Sequence, residues 1–203
     1  MTLNDLLPAI ARITGHLAIH DLRSITYLST YPSIRMLGAA PGPINLDQFH
    51  QIAAMAYGWM PRVVRIDPLH TQSALKALNA AKTATALTLH AIPITDLAAC
   101  LHSLVGASKV LHFVNDSVFP IWDSNIETFR LNGASPPYNH MHTIGSYLAY
   151  AQDVHAISRD LGFHAFLQGF TSAFNSRLNA LRIASYQISP VRAIEAAAFE
   201  LAP

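Results

Sequence analysis

Charge is scarce in this chain: thirteen Lys and Arg and twelve Asp and Glu stand among 203 residues, a formal net charge of +1. So even a balance builds no strong overall field, and a nucleic-acid or membrane partner held by bulk charge is excluded; such a contact needs a local basic cleft. Cysteine is scarcer still. The lone Cys100 has no internal disulfide partner, and its setting Leu97-Ala98-Ala99-Cys100-Leu101 predicts a buried thiol at helical spacing. The first residues, Met1-Thr2-Leu3-Asn4-Asp5, carry no basic leader, and no apolar run reaches the roughly eighteen residues of a membrane span. The expectation is a cytoplasmic protein with no membrane association and no obligate protein partner. Strand signals are nearly missing as well: period-two alternation never persists, and the best short run, Val63-Val64-Arg65-Ile66, is too isolated to build a sheet.

What is abundant is apolar sequence, 51% of the chain, arranged at helical spacing. Leu6, Ile10, Ile13 and Leu17 share a face; a second helix is expected from about His20 toward Ser29, ending before Tyr31-Pro32. Others are expected from Asp47 to Trp59, closed by Pro61, and from Pro68 to about Thr83. Pro93-Ile94-Thr95-Asp96 reads as a helix start, and that helix should run to Leu104. Gly106 then interrupts, and Ser108 to Val114 resumes the pattern, so two helices joined by a very short turn are expected near 96–115. Ser124-Asn125-Ile126-Glu127 fits a capping box behind Asp123. Long helical patterns follow from about Thr143 to Arg159 and Phe163 to Tyr186, and Ser189-Pro190 starts a last helix as cap and first residue. The fold class is therefore all-α: a single helical, bundle-like domain over residues 1–203, in one lobe or two lobes around a cleft.

Eleven histidines are the compositional oddity and predict a surface whose charge depends on pH. His140-Met141-His142 and the Cys100/His102 pair lack a second ligand pair at metal-binding spacing, so no metal and no cofactor is expected. Arg177 and Arg182, with Asn175 and Asn179, read as a solvated helical face or as phosphate contacts. The segment best suited to chemistry runs from Leu104 to Phe129. Val105-Gly106-Ala107-Ser108 before a helix offers backbone amides and a small residue for close phosphate approach. Lys109 follows in the first turn. Asp123, after the apolar Phe119-Pro120-Ile121-Trp122, offers a carboxylate at a fixed position before a helix.

The run Leu104-Val105-Gly106-Ala107-Ser108-Lys109-Val110-Leu111, with Ile121-Trp122-Asp123-Ser124-Asn125-Ile126, resembles the helix-hairpin-helix DNA glycosylase superfamily. That resemblance implies double-stranded DNA as partner and excision of a damaged or modified base. It is also similar to small bacterial anti-phage glycosylases, which implies modified cytosines such as glucosylated hydroxymethylcytosine in phage DNA as one substrate class. It makes Asp123 the catalytic carboxylate and the Gly106 turn (Val105, Gly106, Ala107, Ser108) the DNA-binding element. The hairpin here has one glycine and no proline, so Lys109 stands either as a nucleophile or as a phosphate contact. Trp122, Phe119, Tyr138, His112 and Asn125 are the expected base-pocket residues, the aromatic ones by stacking. The alternative is a non-catalytic helical module that binds DNA or protein through the same hairpin.

Overall fold

Short polar side chains set where the helices begin. Asp21, Asn45, Ser103, Asp123 and Ser189 each accept a hydrogen bond from a backbone N–H in the first turn that follows, satisfying a donor that a helix start leaves free. The computed structural model describes residues 1–18, 21–60 and 63–202. It is all-α, as expected, with no strand among the described residues. The helices are α1 (Leu3–Leu6), α2 (Pro8–Gly15), α3 (Leu22–Gly38), α4 (Leu46–Gly58), α5 (Thr71–Lys82), α6 (Ile94–Leu101), α7 (Leu104–Val114), α8 (Ser124–Arg130), α9 (Ile144–Ile157), α10 (Phe163–Ala180) and α11 (Pro190–Leu201). No single helix among the described residues is long and apolar enough to cross a membrane. The helix start expected at His20 and the closing Pro61 lie outside the described residues.

Four boundaries differ from expectation. α10 ends at Ala180 rather than near Tyr186, and Arg182 just beyond it takes the left-handed conformation (φ +59°). The other three each have a local reason. α3 does not stop before Tyr31-Pro32 but continues through Pro32 to Gly38. Pro32 cannot donate to the Leu28 carbonyl four residues back, and the Tyr186 hydroxyl donates to that carbonyl instead, at 3.0 Å. The cap of α8 is Asp123 rather than Ser124: its Oδ1 accepts from Ile126 N at 3.0 Å, and Glu127 turns inward. The turn between α6 and α7 falls at His102-Ser103, not at Gly106. His102 takes the left-handed conformation (φ +49°), and the two helix axes turn through 119°. Gly106 lies inside the first turn of α7 because Tyr57 packs onto it: a Cβ there would sit 2.4 Å from the Tyr57 hydroxyl oxygen.

α7 is the buried axis of one set of helices, packing on α3, α4, α5 and α6, with every residue from Gly106 to Val114 buried. Its close approach to α3 needs Gly38, where a Cβ would meet the Phe113 carbonyl oxygen at 2.0 Å. The second set centres on α11, which packs on α1, α2, α8, α9 and α10. One apolar cluster runs through both sets, and Cys100 is buried in it.

Candidate functional site

Between α7 and α8 the chain crosses the interior without regular structure, and a buried backbone of that kind must find partners for its polar groups. Side chains from three helices, α7, α9 and α11, supply them. His155 Nε2 donates to Val118 O at 2.8 Å, His112 Nδ1 to Phe119 O at 2.8 Å, and the Tyr147 hydroxyl to Pro120 O at 3.2 Å. Glu195 Oε2 accepts from Ile121 N at 3.3 Å, and Ser108 Oγ accepts from Trp122 N at 3.1 Å. Five consecutive residues, 118 to 122, are thus held from outside, and the next residue is Asp123. Ser108 is the neighbour of Lys109, so one hydrogen bond sets the register between Lys109 and Asp123. Two histidines serve here as buried donors rather than as a pH-dependent surface.

Lys109 and Asp123 border two cavities that meet at their position. The first, about 330 Å³, lies between the two helix sets and is also lined by Tyr27, Trp59, Arg192 and Glu195. The second, about 800 Å³, opens beside the α6–α7 turn and shares Arg23, Trp59, Lys109, Asp123 and Asn125 with the first. Their charges differ. Arg23, Lys109, Arg177 and Arg192 face Asp21, Asp123, Glu195 and Glu200 around the first, whereas Arg23, Arg65 and Lys109 face Asp123 alone around the second. A chain of nearly zero net charge therefore does contain a locally cationic cleft.

Burial pushes the Lys109 ammonium down from its ordinary value, with the charge of Asp123 acting in the opposite direction. Among the described residues no hydrogen bond or ion pair holds its Nζ, so the amine is available to a ligand. Asp123 uses Oδ1 to cap α8, which fixes the carboxylate against the helix, and Oδ2 has no partner among the described residues. Behind them lies Glu195, buried between the Arg192 guanidinium and Ile121 N. Burial raises its carboxyl to about 7, against the pull of Arg192. His112 is held neutral: burial first, and the Arg192 charge second, push it well below its ordinary value. Because Phe119 O can only accept, the proton sits on Nδ1, and Nε2 accepts from the Tyr31 hydroxyl at 2.9 Å.

Comparison of the chain with protein-family models, with curated proteins and with solved structures finds no match.

Of the residues singled out from sequence, the fold brings Lys109, Asp123 and Asn125 together on the shared wall. It places the others elsewhere. Trp122 and Phe119 are fully buried and line neither cavity; Trp122 Nε1 donates to Glu127 at 2.9 Å. Tyr138 is 93% exposed in the loop before the turn at 140–142, and His112 belongs to the buried layer behind the first cavity. In the expected phosphate-binding run, the Gly106 amide donates to Ser103 Oγ at 2.9 Å and the Ala107 amide to Ser103 O at 2.9 Å. Gly106, Ala107 and Ser108 are buried, and only Val105 of the four borders a cavity. Among the described residues no acceptor takes the amides of the first two helical positions, Leu104 and Val105. Arg177 is buried and gripped by Glu200 at 2.6 and 3.0 Å, which removes it from the solvated face expected of it. Arg23, Trp59, Arg192 and Glu195 were not singled out. For Arg192 and Glu195 a signal existed: two charges three residues apart inside the apolar run Val191 to Ala198.

Proposed function

We propose that the protein is a DNA N-glycosylase that turns a damaged or modified base out of the duplex and hydrolyses its bond to the sugar. The observation that carries this reading is the convergence of Lys109 and a helix-capped Asp123 on one wall between the second, cationic cavity (the outer one) and the first, partly aromatic one (the inner one). The outer cavity, with Arg23, Arg65, Lys109 and the first amides of α7, suits a phosphate backbone. The inner cavity suits the extruded base, with Tyr27 and Trp59 as planar walls. Base loss develops positive charge at the sugar carbon as the leaving nitrogen takes up electrons. Asp123, fixed by its bond to Ile126 N, stabilises that charge and accepts a proton from the attacking water, whose hydroxyl goes to the sugar carbon, while the departing base takes up a proton from solvent and Asp123 later returns its own to solvent. Lys109 contributes in one of two ways. As an ammonium it holds a phosphate; as a neutral amine, which burial favours, it attacks the sugar carbon itself, expels the base and forms an imine with the opened sugar.

The test is base release from duplexes carrying damaged, methylated, hydroxymethylated or glucosylated bases, scored as alkali-labile sites. Asp123→Asn is expected to lose at least about a hundredfold in rate while still binding DNA, the loss typical of removing a fixed charge from a reacting centre. Trapping with borohydride separates the two roles of Lys109, because only the imine is reduced to a stable protein–DNA adduct. Normal turnover in Asp123→Asn would sink the assignment of that residue, and DNA binding without release from any substrate would leave a binding module.

A further inference from the structure

Lys109 is only 8% exposed, yet its Nζ has no hydrogen-bond or ion-pair partner among the described residues and stays open to solvent. A nearly buried ammonium in that condition is costly, and one at the wall of a cavity marks a place for a ligand atom. Val105 lies four residues earlier on the same face of α7, and both residues border the second cavity. Long helical side chains lean toward the helix start, so Lys109 reaches back to the end of α7 where the Leu104 and Val105 amides go unaccepted. Positive charge gathers at that end. Arg23 and Arg65 line the same cavity with Asp123 as the one carboxylate, and His102 and His142 stand beside them. Arg65 is exposed and has no partner among the described residues, whereas Asp123 is tied to α8 by its bond to Ile126 N.

We infer that the second cavity binds a tetrahedral oxyanion, a phosphate monoester or diester, between the Leu104 and Val105 amides and Lys109 Nζ, and that this occupant switches Lys109 from amine to ammonium. In the empty site burial disfavours the ammonium; Asp123 and Glu195 act for it, and Arg23 and Arg192 act against it. An anion in contact with Nζ adds the favourable charge that the fold itself leaves out. Linkage fixes the sign. An anion that favours the protonated amine binds with uptake of a proton, and its affinity falls as pH rises through the titration of Lys109. The two roles of Lys109 in base excision therefore exclude each other, and the occupant of one site selects between them. Only that consequence rests on the glycosylase reading; the anion site stands on α7 and its cavity.

Sulfate is the probe, because it carries no titrating proton of its own near neutral pH. Calorimetric titration of the intact protein at mildly alkaline pH, in two buffers of different ionisation heat, reads its affinity and the proton taken up. Reductive methylation with formaldehyde and cyanoborohydride, mapped by mass spectrometry, reads the free amine of Lys109 against the exposed Lys76 as internal standard. The expected result is a single bound sulfate with proton uptake, and labelling of Lys109 slowed about tenfold relative to Lys76, the effect that one opposite charge in contact has on a titrating group. Arg65→Gln, at an exposed position, should bind sulfate several-fold more weakly. No sulfate binding, or binding that leaves the labelling of Lys109 unchanged, overturns the inference; slowing without proton uptake overturns the switch, and unchanged affinity in Arg65→Gln overturns the place given to Arg65. An unmodified duplex separates the sources. One that competes with sulfate and protects Lys109 makes a backbone diester the occupant, while one that binds without competing assigns the site to a free phosphate. A protein that releases no base from any duplex would lose the glycosylase reading and keep the anion site.

Discussion

Glu127 and Glu195 are both buried, both lie close to Asp123, and both pair with an arginine three residues away, yet their surroundings differ in kind. Glu127 Oε1 accepts from Arg130 at 2.7 Å and from His140 at 2.6 Å, while Oε2 accepts from Trp122 Nε1 at 2.9 Å. Arg130 in turn donates to Asp153 at 2.8 Å. All the members are protein groups, and the cluster works as a strut that clamps the start of α8 to Trp122. Glu195 borders a cavity, holds a backbone amide at 3.3 Å, and is paired with an arginine whose buried Nε has no partner among the described residues. Burial of a carboxylate therefore does not mark a site by itself. The distinction lies in whether the partners around it are complete.

The largest effect should come from breaking the strut. Glu127→Ala leaves Arg130 and His140 facing an uncompensated gap, and a loss of roughly 3–5 kcal/mol in urea unfolding is expected; a loss under about 1 kcal/mol would remove the distinction. The next is a dependence on pH that belongs to Glu195. Its carboxyl is raised from 4.5 to about 7 on folding, so its neutral form is favoured by the fold. The stability it contributes is fully present below pH 4.5 and is lost as pH rises through about 7, a change on the order of 3 kcal/mol if the shift is fully expressed. His112 works in the other direction: its folded value lies below 6.5, so its contribution is present above 6.5 and lost as pH falls toward that lower value. Glu195→Gln should therefore make the protein more acid-sensitive relative to its own neutral-pH stability, and unfolding curves at pH 5 and pH 7.5 would show it. An unchanged difference between the two pH values would count against a neutral Glu195.

Ser108→Ala leaves both clusters intact but loosens the segment they share. An unpaired Trp122 N in the interior should cost about 1–3 kcal/mol, and base release should fall more than stability explains, because Lys109 and Asp123 lose their common anchor. Parallel urea titration and rate measurement separate the two losses. The smallest expected effect lies outside both clusters. Tyr186→Phe withdraws the hydroxyl that serves the carbonyl stranded by Pro32, worth about 1 kcal/mol by thermal unfolding.

The ease of reading differed from element to element for physical reasons. Ser189-Pro190 announced α11 because capping and the fixed φ of proline are local properties. Tyr31-Pro32 misled because the partner that rescues the helix, Tyr186, lies 155 residues away from Tyr31 in the sequence. Gly106 misled in a similar way: glycine is the usual residue for a turn, but this one is small to admit Tyr57, while His102 takes the left-handed turn. Asp123 could be singled out from its place before a capped helix, whereas the neutral state of His112 and the burial of Arg192 depend on groups from other helices.

Sequence by itself determined the all-α class, the sites of most helix starts and the pairing of Lys109 with Asp123 as the residues to watch, since period, caps and short motifs act over a few residues. Only the tertiary structure decided that Trp122 and Phe119 are core, that Tyr138 faces solvent, and that Arg192 and Glu195 stand at the cavity. A cavity is the space left when distant helices pack, and no local pattern encodes its walls.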